Sequence, residues 1–146
     1  MTTRTIIDVL YLIWDVASLH AHYMEEEKNV LDPEDRSGTD EELDVIIKKY
    51  DLISKSCLDI INAIKQQNLS LISSDTKKTF QTAMQDEDFR QWTIDHLGNQ
   101  NYESSSPQDI ALVLHNFSID FLKFLSFWLH ANKEFGTGEQ HEIGEI

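Results

Sequence analysis

Apolar residues repeat at helical spacing over three full heptads between Glu41 and Gln67. Steps of three and four residues place them on one side of a helix, so the segment is predicted to be a long amphipathic α-helix. Ile47 and Ile61 broaden that apolar side. The stripe consists of Leu43, Ile46, Tyr50, Ile53, Cys57, Ile60 and Ile64. A helix with so wide an apolar side is typical of a helical bundle.

Two more segments show the same periodicity. The spacing predicts a first helix from about Thr3 to Lys28 and a last helix from Pro107 to about Lys133. Ser106 precedes the last helix as a capping residue, and Pro107 suits its first position. The two stripes are Ile6, Leu10, Ile13, Ala17, His20 and Met24, then Ile110, Leu114, Phe117, Phe121, Phe124 and Trp128.

The third segment is irregular, because Phe80 and Phe89 would lie on opposite sides of a straight helix. A break near Gln85 resolves this, with Asp86 capping a second short helix that stops at Gly98. The sequence therefore predicts an all-α fold, an up-and-down four-helix bundle with a broken third helix. This single domain spans residues 1–135, and residues 136–146 are expected to form a flexible acidic tail.

The charge of the chain limits its possible partners, and its cysteine content indicates the cellular compartment. The net charge of −14, with only scattered basic residues, disfavours nucleic acids and anionic membranes as partners. A single cysteine, Cys57, fits a reducing compartment. The first residues lack a signal-peptide layout, and no uninterrupted apolar run is long enough to span a membrane. We therefore expect a cytoplasmic protein.

Some histidine and acidic residues have spacings similar to those of metal ligands. His22-X3-Glu26 and His115-X4-Asp120 resemble two fragments of the hemerythrin ligand pattern. The chain has no His-X3-His, and the order of the fragments differs from that family. His20 belongs to the apolar stripe, so His22, about 200° away on the helix, faces solvent. We therefore predict no metal ligands and no cofactor.

Two enzyme classes share short patterns with this chain. Arg90 and His96 resemble the Arg–His spacing of HEPN ribonucleases, although Gln91 replaces the Asn, Asp or His that usually follows the arginine. Glu41-Glu42-Leu43-Asp44 resembles half of the magnesium motif of all-α nucleoside-triphosphate pyrophosphatases, but Asp59-X2-Asn62 is one carboxylate short of the other half. Because neither match is complete, we predict that the protein has no catalytic residues.

The most concentrated charge lies between Glu25 and Asp44, which contains ten carboxylates and only two basic residues, Lys28 and Arg36. On a stiff helical body such a cluster attracts a basic protein surface. The sequence predicts a non-enzymatic acidic binding protein, of the physical type of immunity proteins, antitoxins and inhibitors. Its predicted partner-binding residues are Glu26, Glu27, Asp32, Glu34, Asp35, Glu41 and Glu42. A loop that only keeps the protein soluble is the alternative.

Self-association is the competing prediction. Some apolar residues of the first and last helices lie outside the main stripes, where a small bundle cannot easily bury them. A helical scaffold or homodimer could cover them, or the third segment could wrap around the last helix. The residues predicted for self-association are Leu112, Ile119, Leu12 and Leu19.

Overall fold

The computed structural model describes residues 2–30, 32–97 and 106–135. Within these residues every regular element is helical, and no strand is present. Two short 3₁₀ turns, Pro33–Asp35 and Leu69–Leu71, connect some of the helices. The α-helices are α1 (Thr3–Val30), α2 (Asp40–Lys65), α3 (Ser74–Met84), α4 (Glu87–Leu97) and α5 (Pro107–Phe135). The predicted tail, residues 136–146, lies outside the described residues.

Helix α2 begins and ends with specific backbone hydrogen bonds. Thr39 and Glu42 form a reciprocal capping box at its start. At its end the Asn68 amide donates to the carbonyl of Ala63, which requires a left-handed residue between them. Gln67 takes that role with a φ of 54°, in place of the usual glycine. The predicted stripe of α2 is buried except for Ile46, which is half-buried.

Helices α1 and α2 form the most extensive interface of the fold. Their packing is mainly apolar, but the hydroxyls of Ser18 and Ser54 also join across it at 2.9 Å. Leu12 is fully buried, because α1 presents two adjoining apolar strips to the core rather than one. This burial removes Leu12 from the residues available for self-association. Leu19 is half-buried on the same helix.

The third segment forms two separate helices, with α3 ending at Met84 and α4 beginning at Glu87. Asp86 Oδ1 accepts a hydrogen bond from the Phe89 amide, as expected for a residue that caps α4. The Arg90 side chain turns back and donates to the carbonyl of Met84 at 2.5 Å. These contacts hold the end of α3 against the start of α4. The predicted stop at Gly98 lies outside the described residues.

Helix α5 contains a break that the periodicity did not predict. Asp120 leaves the helical conformation, with φ −164° and ψ 95°. The side chain of Gln81, from α3, joins the two backbone groups that the break separates, Phe117 O and Phe121 N. Near the other end of α5, Trp128 Nε1 donates to Thr3 Oγ1 at 2.8 Å. Helix α5 is therefore tied to both α3 and α1.

The stretch Pro107–Ala131 of α5 is long and apolar enough to cross a membrane, by length and composition alone. This finding differs from the expectation based on uninterrupted apolar runs, because Asp120 and Lys123 interrupt the stretch without lowering its average much. Core helices of soluble proteins meet the same criterion, and 33% of an 18-residue part of this stretch is buried within the fold.

Candidate partner-binding corner

The acidic segment forms one corner of the molecule, where α1 ends, the 3₁₀ turn Pro33–Asp35 follows, and α2 begins. We call the described residues from Glu25 to Asp44 the acidic corner. Lys28, in the last turn of α1, donates to Asp44, in the second turn of α2, with an Nζ–Oδ1 distance of 2.6 Å. This contact joins the two helices across the connection and brings their acidic ends together.

Both basic residues of the acidic corner form ion pairs with carboxylates of the same corner. Besides the Lys28–Asp44 pair, Arg36 Nη1 pairs with Asp40 Oδ1 at i,i+4 spacing. The hydrogen bond to Asp44 raises the pKa of Lys28, and the charges of Asp44, Asp40 and Glu25 add to this effect against desolvation. Lys28 and Arg36 therefore neutralise Asp44 and Asp40, and the excess negative charge stays with the other acids of the corner.

Glu27 closes the connection from the α1 side. Its Oε1 accepts hydrogen bonds from the backbone amide and the hydroxyl of Ser37, at 2.5 and 2.7 Å. These two bonds, together with the charge of Arg36, lower the pKa of Glu27 despite some desolvation. The carboxylate is thus held ionised while it anchors the connecting segment to α1.

Glu42 closes the same connection from the α2 side. Its Oε1 accepts from the hydroxyl of Thr39 at 3.1 Å, and the Thr39 hydroxyl accepts from the Glu42 amide at 3.2 Å. Gly38 leaves room for this arrangement, because a Cβ at that position would lie 3.2 Å from the Glu42 Cβ. Glu42 therefore acts as a capping residue, and its carboxylate is partly occupied.

The seven predicted partner-binding residues separate into two groups. Glu27 and Glu42 hold the frame, and Glu26 pairs with His22 at 3.1 Å on the surface of α1. The second group is exposed, and its side chains make no hydrogen bond or ion pair within the described ranges. That group comprises Asp32, Glu34, Asp35 and Glu41.

The surface of the acidic corner is shallowly indented. A cleft of about 760 Å³ opens between the 3₁₀ turn and the first turn of α2. Asp40, Glu41 and Glu42 line it together with Arg36 and the turn residues. Such a cleft can receive the end of a long cationic side chain, whose charge would then meet Glu41, the lining acid that has no partner among the described residues.

Asp86, Glu87 and Asp88 form a second acidic cluster, which is separate from the acidic corner. Asp86 lies close enough to Tyr50 to raise the pKa of its hydroxyl, in addition to the larger effect of burial. Tyr50 is ten residues beyond Asp40, or about 15 Å along α2. The two clusters therefore face different parts of the surface.

The histidine that the periodicity placed in the core, His20, is packed between aromatic rings. Its centroid lies 4.4 Å from that of Trp92 and 5.2 Å from that of Tyr50. Burial lowers the pKa of His20, and the charge of His96 lowers it further. His96 Nε2 is buried without a hydrogen-bond partner among the described residues. His20, Trp92 and His96 also line an open cleft of about 520 Å³ between α1 and α4.

Arg90 and Cys57 have side chains that could take part in catalysis, but both are placed in contacts that stabilise the fold. Arg90 caps α3, as described above. Burial raises the pKa of the Cys57 thiol, which is fully enclosed by apolar residues and is unsuited to nucleophilic chemistry. Across the part of the chain that the structure describes, no group of three or more His, Cys, Asp or Glu side chains could hold a metal ion.

Sequence reasoning found the acidic corner but missed the contacts that shape it. The capping box was visible as Thr39-X2-Glu42, a recognised signature of a helix start. The pairing of Lys28 with Asp44, sixteen residues apart, has no local signal. Comparison of the chain with protein-family models, with curated proteins and with solved structures finds no match.

Proposed function

We propose that this protein is a non-enzymatic binding protein that captures a basic surface of another protein with its acidic corner. The observation that carries the proposal is the division of charge within the corner. Its two cations are occupied by Asp44 and Asp40, while four exposed carboxylates have no partner among the described residues. In physical type the protein resembles immunity proteins, antitoxins and inhibitors.

Preorganisation supports this function. The exposed carboxylates stand on a connection that is anchored by Glu27–Ser37, by the Thr39–Glu42 capping box and by the Lys28–Asp44 pair. A surface that is already ordered loses less conformational entropy when it binds. The anchoring contacts therefore contribute to affinity even though their carboxylates do not face the partner.

The proposed contact residues are Asp32, Glu34, Asp35 and Glu41, with Glu26 at the edge of the surface. Each would pair with arginine or lysine of the partner, and the Glu41 side of the cleft would receive the longest of these side chains. The overall charge of −14 extends the attraction beyond contact distance and accelerates encounter. The same charge repels phosphate backbones, so a protein partner is favoured over nucleic acid.

We also propose that the helices form an up-and-down four-helix bundle, with α3 and α4 sharing the third position. Contacts between elements support the order and direction. The end of α1 meets the start of α2 through Lys28 and Asp44, and the start of α1 meets the end of α5 through Thr3 and Trp128. Such a bundle would give the acidic corner a rigid base.

Removing the four unpaired charges should slow partner capture. The partner is first retained on the immobilised protein from extracts of its own cells and identified by mass spectrometry. At low ionic strength, the association rate of this partner should then fall by about tenfold or more in the fourfold variant, because steering depends on the local field. The variant is Asp32→Asn, Glu34→Gln, Asp35→Asn and Glu41→Gln, and stopped-flow kinetics at two salt concentrations measure the rate.

The matched control removes the same total charge elsewhere on the surface. It should change the association rate far less, since its residues lie on α2, α3 and α4 away from the acidic corner. The control substitutions are Asp51→Asn, Asp75→Asn, Glu87→Gln and Asp88→Asn. Equal rates for the two fourfold variants, or a rate that does not depend on salt, would contradict the proposal.

A second candidate function is self-association as a scaffold or homodimer, which α5 favours. Leu112 and Ile119, seven residues apart on its outer side, are 47% and 66% exposed, and Phe127 is 72% exposed. Large apolar side chains at this exposure often mark contact surfaces. Leu19 contributes less, because it is half-buried beside His20 and Trp92.

Self-association through α5 predicts that Ile119→Lys converts a dimer to a monomer in sedimentation experiments. A lysine at the centre of an apolar contact would have to lose its hydration without gaining a partner. Leu58→Lys is the control, since Leu58 is also a large exposed apolar residue but lies on α2. A wild-type protein that sediments as a monomer, or a variant that remains dimeric, rules out this candidate.

A further inference from the structure

A cleft between α2 and the α3–α4 junction has the composition of a ligand site and lies away from the acidic corner. Its volume is about 600 Å³, within the range that small-molecule sites usually occupy. Its floor is apolar and buried, and is formed by Ile53, Ala83 and Phe89. We call this site the α2–α3 cleft.

Two lysines line the α2–α3 cleft from opposite sides, Lys49 on α2 and Lys78 on α3. Neither ammonium makes an ion pair within the described residues, and Lys49 Nζ lies 5.5 Å from the centroid of the Tyr50 ring. In a chain where acidic residues outnumber basic ones by 26 to 12, two cations without a carboxylate partner in one cleft form a local reversal of charge.

One carboxylate, Asp86, also lines the cleft. Its Oδ1 accepts a hydrogen bond from the Phe89 amide at 3.2 Å, in the first turn of α4, where the helix dipole favours negative charge. Asp86 is engaged with its own helix but keeps its negative charge, so the two lysines and the one carboxylate of the lining leave a formal excess of one positive charge. The hydroxyls of Thr79 and Thr82 offer further hydrogen-bond donors on the same wall.

From this arrangement we infer that the α2–α3 cleft binds a small amphipathic carboxylate, whose apolar body covers Ile53, Ala83 and Phe89 and whose carboxylate lies between Lys49 and Lys78. A plain inorganic anion would leave the apolar floor uncovered. An amphipathic amine would place its charge beside two ammonium groups. The lysines on the walls thus select the carboxylate of the ligand, and the apolar floor separately selects its apolar body.

Calorimetric titration with three ligands of the same shape tests the inference: 4-phenylbutyrate, 4-phenylbutanamide and 4-phenylbutylamine. The carboxylate should bind at least fivefold more tightly than the amide, and the amine should bind more weakly than both. Equal affinity for the three ligands would overturn the inference. So would the absence of saturable binding of 4-phenylbutyrate at roughly 10 mM, which lies above the dissociation constants expected for a ligand of this size.

Variants locate the binding. Lys49→Gln and Lys78→Gln should each weaken 4-phenylbutyrate about five- to tenfold, while the amide should be little affected. Thr82→Trp, at the exposed rim, should block both ligands by filling the cleft. Lys55→Gln is the matched control, because Lys55 is an exposed lysine of α2 outside the cleft. Helical circular dichroism verifies that every variant is folded.

Two results would overturn the assignment of this site. One is 4-phenylbutyrate binding that survives both lysine substitutions, and the other is binding that Lys55→Gln weakens as much as they do. The site is also independent of the proposed partner-binding function. The fourfold amide variant of the acidic corner should bind 4-phenylbutyrate as the wild type does, whatever its effect on partner capture.

Discussion

Replacing Phe80 with alanine is expected to lower the free energy of unfolding by about 3–5 kcal/mol. Phe80 has no exposed surface. Its ring lies edge-on to two aromatic rings of α5, with centroid distances of 4.7 Å to Phe121 and 5.5 Å to Phe117. The substitution removes both aromatic contacts and leaves a cavity that the surrounding helices cannot fill without moving.

Urea unfolding followed by circular dichroism measures this loss. The same substitution at Phe127, which is 72% exposed on α5, is the control and should change the free energy of unfolding by less than about 0.5 kcal/mol. Low protein concentration keeps any self-association through α5 out of the comparison. Similar values for the two variants would show that Phe80 does not join α3 to α5 in the folded protein.

The helices could be predicted because their signals are local. The heptad stripe of α2, the capping role of Asp86 and the proline at the start of α5 each depend on residues within a few positions of one another. Local signals also indicated a break near Gln85, because Phe80 and Phe89 could not share one side of a straight helix. The structure places the end of α3 and the start of α4 on either side of that point.

The end of α2 shows where local signals fail. A helix that ends in this hydrogen-bonding pattern usually has glycine at the left-handed position, since a side chain there is sterically unfavourable. Gln67 occupies it instead, and nothing in the side chain of a glutamine indicates a left-handed conformation. The chain passes here from α2 into the next 3₁₀ turn, which Asn68 caps by accepting a hydrogen bond from the Ser70 amide.

The acidic corner was likewise predictable in position but not in detail. Counting charges identified the segment from Glu25 to Asp44 and the residues that could face a partner. Which carboxylates remain unpaired depends on contacts such as Lys28–Asp44 and Glu27–Ser37, which form only when α1 and α2 are antiparallel. Of the seven predicted residues, Glu27 and Glu42 consequently hold the connection between α1 and α2, and Glu26 pairs with His22. The other four carry the exposed charge.

The second large expected effect is a loss of stability when Gln81, which contacts the break in α5, is replaced. In a continuous helix the Phe121 amide would donate to the carbonyl of Phe117. Because Asp120 leaves the helical conformation, Gln81 bridges these two groups: its Nε2 donates to Phe117 O at 3.0 Å, and its Oε1 accepts from Phe121 N at 2.9 Å. Asp120 Oδ1 accepts from the Lys123 amide and so caps the second part of the helix.

Gln81→Met should therefore lower the free energy of unfolding by about 2–3 kcal/mol. Methionine keeps the length of the side chain but has no donor for Phe117 O and only a weak acceptor for the Phe121 amide, and partly buried groups without good partners cost about this much. The control is Gln91→Met, because among the described residues the Gln91 side chain bonds only with the exposed Asp95, and its loss should cost less than about 0.5 kcal/mol. Both variants are compared by urea unfolding.

Hydrogen exchange separates this explanation from a simple loss of packing. If Gln81 bridges the break, the Phe121 amide should exchange faster in Gln81→Met than in the wild type, by more than the loss of global stability explains. The Phe89 amide, which is bonded to Asp86, should change only with global stability. An unchanged free energy of unfolding, or unchanged relative protection of Phe121, would mean that α5 closes the break by restoring its own Phe117–Phe121 hydrogen bond. The conformation of Asp120 would then be independent of α3, and Gln81 would not be the group that holds it.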